Sequence, residues 1–312
     1  MISYAKYIVN CLVEYIWEDL FSISVGIKTV DDNIKRGMKL IALVIISLLA
    51  SIWLFNGKTI ANELVIPESI GAYTAGCIRD SSALSQNGEG FQVIRPSRGR
   101  YFGNPETITY IESLSKKVNS ELNGTLLIAD ISQQTGGPIL DDHSSHQIGL
   151  DADILLWQHP IARQRILTVT EREHIHPQSV LTNNETAVDG FKWQEIHGEI
   201  LKLAASDTRV DRIFINPVIK KRLCNDYPGQ QWLGKLRPWY GHDGHFHVRL
   251  KCPQGNSLCE SQKPIETSGD GCGSDLYSWF KPDGSIKAKK KSGYSQQKKL
   301  PSECAAIMNG VY

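Results

Sequence analysis

Nothing in the chain reads as a P-loop, a dinucleotide fingerprint or a G-x-S-x-G nucleophile elbow, which sets aside the chemistries those motifs serve. No two cysteines stand in C-x-x-C spacing, so a cysteine zinc ribbon is not expected. An excess of charge of one sign is also missing: 34 Lys and Arg against 33 Asp and Glu leave a formal net charge of +1. That balance makes no electrostatic case for nucleic acid or for an acidic partner. There is no internal repeat, and no apolar run reaches the roughly 20 residues that a membrane-spanning helix needs.

The longest apolar run, residues 40–55, counts 16 residues and follows Lys35-Arg36 and Lys39. It is short for a span but suits the core of a signal peptide, closed by Asn56-Gly57-Lys58, with Thr59-Ile60-Ala61 as a cleavage site. The expected division is an N-terminal extension over 1–37, a signal peptide over 38–61 and a folded domain over 62–312. Met38 is an alternative start that would leave 1–37 untranslated, and a retained apolar run would instead be a membrane anchor. Six of the seven cysteines follow this run; only Cys11 precedes it. An even set beyond an export signal reads as disulfides made in an oxidising compartment, here a periplasm. Six cysteines allow about 15 pairings and spacing does not choose among them, although Cys252 and Cys259 flank a turn-forming Pro-Gln-Gly-Asn. The lysines at 287, 289–291, 298 and 299 read as a solvated surface stretch. With 312 residues and 41% hydrophobic content, the chain can bury a sizeable core.

After a loop-rich start, Asn104-Pro105-Glu106 predicts a helix opening, with Ile108, Ile111, Val118 and Leu122 along one side. Residues 125–130 predict a buried strand. Trp193, Ile196, Ile200 and Leu203 mark a second helix, residues 212–215 a strand, and Asn216-Pro217 the cap of a third helix. No regular β-α-β alternation is present. The fold expected is α+β: a single domain with a mainly antiparallel central sheet flanked by helices and loops, stabilised by disulfides.

Two stretches carry chemistry. In Asp142-His143-Ser144-Ser145-His146-Gln147-Ile148-Gly149-Leu150-Asp151-Ala152-Asp153, a polar turn runs into an alternating, then apolar, strand. Asp153 then sits on a half-buried strand, and a buried carboxylate without a partner costs several kcal/mol. It needs a cation. In Gly241-His242-Asp243-Gly244-His245-Phe246-His247-Val248-Arg249-Leu250, a strand puts His245 and His247 on one face while Phe246 and Val248 enter the core. Two imidazoles and a carboxylate with an open position are the donor set of a catalytic zinc site.

Ser-His-Gln-x-Gly-Leu-Asp-x-Asp followed by Arg-Pro-Trp-x-x-His-x-x-His-x-His-Val-Arg-Leu resembles the penicillin-insensitive murein endopeptidases. These are zinc peptidases related to lysostaphin, D-Ala-D-Ala dipeptidases and the hedgehog domain. The resemblance continues through Arg95-Pro96-Ser97-Arg98, residues 212–217 and 268–272, and Leu300-Pro301 to Cys304. It implies that His146, Asp153 and His247 hold Zn²⁺ and that His245 is the catalytic base or transition-state stabiliser. It implies auxiliary roles for His143 and His242, while Asp151, which shares the strand face of Asp153, is a further supporting residue. The implied disulfides are Cys77–Cys304, Cys224–Cys272 and Cys252–Cys259. The implied activity is hydrolysis of peptide cross-links in peptidoglycan at the D-alanyl–meso-diaminopimelyl bond, insensitive to penicillin. Oligomeric state is not legible, with a homodimer one arrangement left open.

Two other function classes stand against this. One is a zinc-containing wall-binding module without catalysis. The other is a serine D,D-peptidase, because Ser113-Leu114-Ser115-Lys116 matches S-x-x-K and Lys291-Ser292-Gly293 resembles K-T-G. No convincing S-x-N element lies between them, and Ser113 falls late in an ordinary amphipathic helix. His174 and His176 form another H-x-H, but charged neighbours and Pro177 place them at an exposed helix end or loop. His159 and His197 have no partner at useful spacing.

Overall fold

Short runs of small and apolar residues ahead of Asn104 fold into strands where loops were expected. β1 (Glu68–Ala72) and β2 (Ala75–Arg79) pair as an antiparallel hairpin, and β3 (Ser82–Ala83) later meets β6 (Phe102–Gly103). Between them lie β4 (Asn87–Gly88) and β5 (Phe91–Val93). Segments of two to five residues are too short for alternation to show in a sequence. The computed structural model describes residues 66–139, 143–265, 269–289 and 299–310. The expected extension, signal peptide and cleavage site, Cys11, Asp142 and Lys291-Ser292-Gly293 lie outside the described residues. Among the described residues, no helix is long and apolar enough to cross a membrane.

The first helix, α1 (Pro105–Leu122), begins as expected: the Asn104 side chain accepts a hydrogen bond from the Glu106 N–H, and Pro105 occupies the first turn. It buries Ile108, Ile111, Leu114 and Val118 and packs against the later helix over Glu195–Ser206. After it come β7 (Leu126–Ile128), β8 (Asp151–Leu155), α2 (Val169–Glu173), α3 (Glu195–Ser206) and β9 (Val210–Ile215). The remainder supplies α4 (Pro217–Asp226), β10 (Leu236–Pro238), β11 (His245–Leu250), α5 (Ser274–Tyr277) and α6 (Ser302–Met308). Trp193 precedes α3 and stacks on His197 at 5.0 Å between ring centroids, so its apolar signal belongs to the helix entry.

The main sheet has seven strands in the order β10-β9-β11-β8-β7-β5-β4. The β11–β8, β11–β9, β8–β7 and β5–β4 pairs are antiparallel, whereas β10–β9 and β7–β5 are parallel. The fold is therefore α+β with a mixed, largely antiparallel sheet. The strand expected to be half-buried is closed on both faces. Ala152 and Ile154 join the apolar core, and Asp151 and Asp153 are only 0% and 4% exposed because the 143–149 loop and the β11 side chains cover them.

Disulfides join Cys77 to Cys304, Cys224 to Cys272 and Cys252 to Cys259, the pairing that the resemblance implied. The first ties α6 to β2 across 227 residues, around a small cluster of Ile70 and Ile307. A cross-link closing so long a loop removes the most freedom from the unfolded chain.

Candidate metal centre

Register builds the centre. On β11 and β8, His247 stands directly opposite Asp153, His245 opposite Leu155 and Arg249 opposite Asp151. The intervening Phe246 and Val248 are 0% and 1% exposed and fill the core, which leaves the histidines on the other face. The third segment is the loop before β8, folded back by Gly149 at φ +68°. A Cβ there would come within 2.8 Å of the Asn104 nitrogen, so only glycine permits the approach.

Three imidazoles converge on one carboxylate oxygen. Asp153 Oδ1 lies 3.2 Å from His247 Nδ1, 3.5 Å from His146 Nε2 and 3.7 Å from His245 Nε2. Among the described residues, Asp153 Oδ1 and His146 Nε2 are buried and make no hydrogen bond. Buried polar atoms in folded proteins nearly always have partners, and a cation seated among these atoms would supply one. His143, His146 and Asp153 also bring ligand atoms within 4.8 Å of one another, so His143 stands closer to the group than an auxiliary role requires.

Groups behind the cluster set four of the five rings. His146 Nδ1 donates to the Ile131 carbonyl at 2.8 Å, which turns Nε2 toward Asp153. The His146 backbone N–H donates to Asp151 Oδ2, and the residue adopts φ +66°, a strained setting for a non-glycine. Asp151 accepts from Arg249 Nε at 2.7 Å and Nη2 at 3.2 Å. It also stands 3.0 Å from His247 Nε2, at ion-pair distance though off the direction of a hydrogen bond. The Arg249 guanidinium is itself sandwiched over the Tyr73 and Phe214 rings at 4.2 and 5.0 Å. His143 Nε2 is 3.0 Å from Asp130 Oδ2, leaving Nδ1 at 3.8 Å from Asp153 Oδ2. His242 Nδ1 lies 2.8 Å from the Tyr240 carbonyl, and its ring packs 4.8 Å from that of His245.

The electrostatics divide the histidines. Burial works against the Asp153 carboxylate, yet His146, His245 and His247 hold it well below the usual range. Burial also works against a charged His146, but without a metal the negative charge of Asp153 at 3.5 Å outweighs it and pushes the imidazole up to about 9. His245 moves the other way: burial lowers it, and the neighbouring histidines lower it further against the pull of Asp153. His242, buried beside His245 and His247, is lowered to about 4. Neutral rings at His242 and His245 carry lone pairs at neutral pH, the state a proton acceptor needs.

The remaining sequence candidates fall elsewhere. His174 and His176 are exposed, and His174 Nδ1 is 2.8 Å from its own helix at the Thr170 carbonyl. His159 Nδ1 accepts from the Ile161 and Ala162 backbone, and His197 is buried at the start of α3. Ser113 Oγ donates to the Thr109 carbonyl at 2.6 Å, and the nearest charge to Lys116 is Glu89 at 3.8 Å. Nothing there aligns a nucleophile with a base. Sequence reasoning gave no role to Asp130, Arg95, Arg98 or Arg100. Asp130 holds His143 and is itself held by Arg98 and Arg100, each at 3.1 Å. Its one sequence signal was an acid ending an apolar strand.

The sequence profile of the family described as penicillin-insensitive murein endopeptidase matches residues 69–309. A penicillin-insensitive murein endopeptidase of Haemophilus influenzae is 43% identical over 244 residues, 77% of this chain and 82% of the relative. Proteins of that name from Klebsiella pneumoniae and Escherichia coli K12 are 41% and 40% identical over 248 and 247 residues, covering 78% of this chain and 86% of each relative.

Proposed function

Because the chain belongs to the penicillin-insensitive murein endopeptidase family, we propose that it is a zinc-dependent endopeptidase of peptidoglycan cross-links. The bond we assign is the D-alanyl–meso-diaminopimelyl amide. The observation that carries the zinc assignment is the pair of buried, unpartnered atoms His146 Nε2 and Asp153 Oδ1. From the facing strand, His247 brings its Nδ1 to 3.2 Å from the same carboxylate oxygen. Two nitrogens and a carboxylate oxygen suit Zn²⁺, with a coordination position to spare. We take His146, Asp153 and His247 as the ligands.

Bound there, zinc would supply Lewis acidity toward the scissile carbonyl and the attacking water. The chain's residues do the rest. His245, neutral and on the same strand face as His247, accepts the proton of the attacking water and returns it to the departing amine. The Asp151–Arg249 pair sets a carboxylate 3.0 Å from His247 Nε2, and the Ile131 carbonyl fixes the direction of the His146 ring. His242 packs against the His245 ring as a neutral neighbour, and the Asp130-held His143 lines the same cavity as His245.

Digestion of cross-linked muropeptide dimers tests this reading. Dimers should be split to monomers, a chelator should stop the reaction, added zinc should restore it, and penicillin should leave it unchanged. Hydrolysis that persists after exhaustive chelation would remove zinc from the account. We extend the proposal to export, with 38–61 as the signal and 62–312 as the mature periplasmic enzyme. N-terminal sequencing of periplasmic material should then find a start close to Asn62, with all six cysteines of the mature chain oxidised. Six free thiols in the mature protein would contradict it.

A further inference from the structure

Beside the histidine cluster is a cavity of about 210 Å³ whose lining includes Arg95, Arg98, Asp130, His143, Asp153 and His245. Its two arginines and two aspartates are not paired one to one. Asp130 is matched by Arg98, Arg100 and His143 at 3.0–3.1 Å. Asp153 faces the imidazoles and the place of the metal. Arg95 is left over: among the described residues, no hydrogen bond or ion pair reaches its side chain, and its Nε is buried without a partner.

The position is built rather than incidental. Arg95 takes φ 49° and ψ 49°, a left-handed setting that is uncommon for a non-glycine residue and tends to mark functional sites. Its backbone N–H is held by the Arg172 carbonyl at 3.2 Å, and the next residues form the tight Pro96–Arg98 turn. Arg172, 3% exposed, is anchored in turn through the Leu167, Gln86 and Val93 carbonyls. Burial works against the Arg95 charge, and Asp130 and Asp153 offset this only from a distance. A planar guanidinium so placed matches a carboxylate arriving from the cleft, through a charge-assisted bidentate contact.

We propose that Arg95 is the specificity residue of this cleft, receiving the substrate carboxylate carried on the carbon that bears the departing amine. The inference rests on the cross-link hydrolase reading above, because diaminopimelate places a carboxylate at that carbon. It makes the preferred substrate an acidic peptide, and it gives the 95–98 turn a function of its own.

Two muropeptide dimers test it, one with that carboxylate free and one with it converted to the carboxamide. The wild-type enzyme should favour the free acid in kcat/KM by roughly 10- to 100-fold, the scale of one hydrogen-bonded charge contact. In Arg95→Gln the preference should collapse toward unity, the free-acid dimer losing more than the carboxamide dimer. Arg95→Lys should restore part of the preference. Because the readout is a ratio within one protein sample, a smaller folded fraction does not alter it. Equal losses on both substrates in Arg95→Gln would overturn the assignment in favour of a role at the scissile carbonyl or in folding. Wild-type enzyme that cleaves both dimers equally would overturn it while leaving the hydrolase reading intact. Wild-type enzyme that cleaves neither would sink the hydrolase reading and this inference with it.

Discussion

Asp153→Ala should lose the bound metal and all cross-link hydrolysis together. Its Oδ1 is the point on which His146, His245 and His247 converge, and it supplies the one negative charge among the proposed ligands. Without it, two neutral imidazoles face a divalent cation. The loss should exceed the roughly 10- to 100-fold that removing an outer partner costs, so zinc affinity should fall by at least about 10³-fold. His146→Ala and His247→Ala should behave alike. Asp151→Asn, which acts through the His247 ring, should fall within the smaller range. His143→Ala should keep its zinc, because that ring is committed to Asp130 on a partly exposed loop. Dialysis followed by elemental analysis checks all of these. Full zinc occupancy in Asp153→Ala would sink the ligand assignment, and zinc lost from His143→Ala but kept by His247→Ala would exchange those two roles.

His245→Ala should instead keep its zinc and lose the reaction. Its Nε2 stands 3.7 Å from Asp153 Oδ1, beside the proposed ligands without being one of them. The ring is held neutral by burial and by its histidine neighbours. Loss of a positioned proton acceptor typically costs about 10²–10⁴-fold, roughly 3–5 kcal/mol of transition-state stabilisation. The fall should appear in kcat more than in KM, because the lost contact belongs to the transition state. Ser113→Ala should be fully active, since its hydroxyl is bonded to its own helix at the Thr109 carbonyl. A β-lactam that labelled the protein, with an inactive Ser113→Ala, would carry the serine chemistry. Zinc and muropeptide bound by wild-type protein without cleavage would instead describe a wall-binding module.

The strand carrying His245 and His247 was legible because period-2 alternation extends over six residues, long enough to separate a core face from a site face. The opening of α1 was legible because Asn104 and Pro105 act on their own helix end. What stayed hidden depends on partners distant in sequence. Asp130 meets Arg98 and Arg100 only through the 95–100 turn, and meets His143 only because β7 and β8 set Asp130 beside Asp153. The closed second face of β8 was missed for the same reason, since its cover comes from the 143–149 loop and from β11. Spacing alone left the disulfide pairing undecided; a resemblance over most of the chain supplied it.

The metal content of the purified wild-type chain tests most directly whether this histidine–aspartate cluster holds a divalent metal. The purified chain should hold about one zinc ion, lost on chelation in step with cross-link hydrolysis and regained with it when zinc is returned. A chain that contains no metal and still splits cross-linked muropeptides at full rate would contradict it.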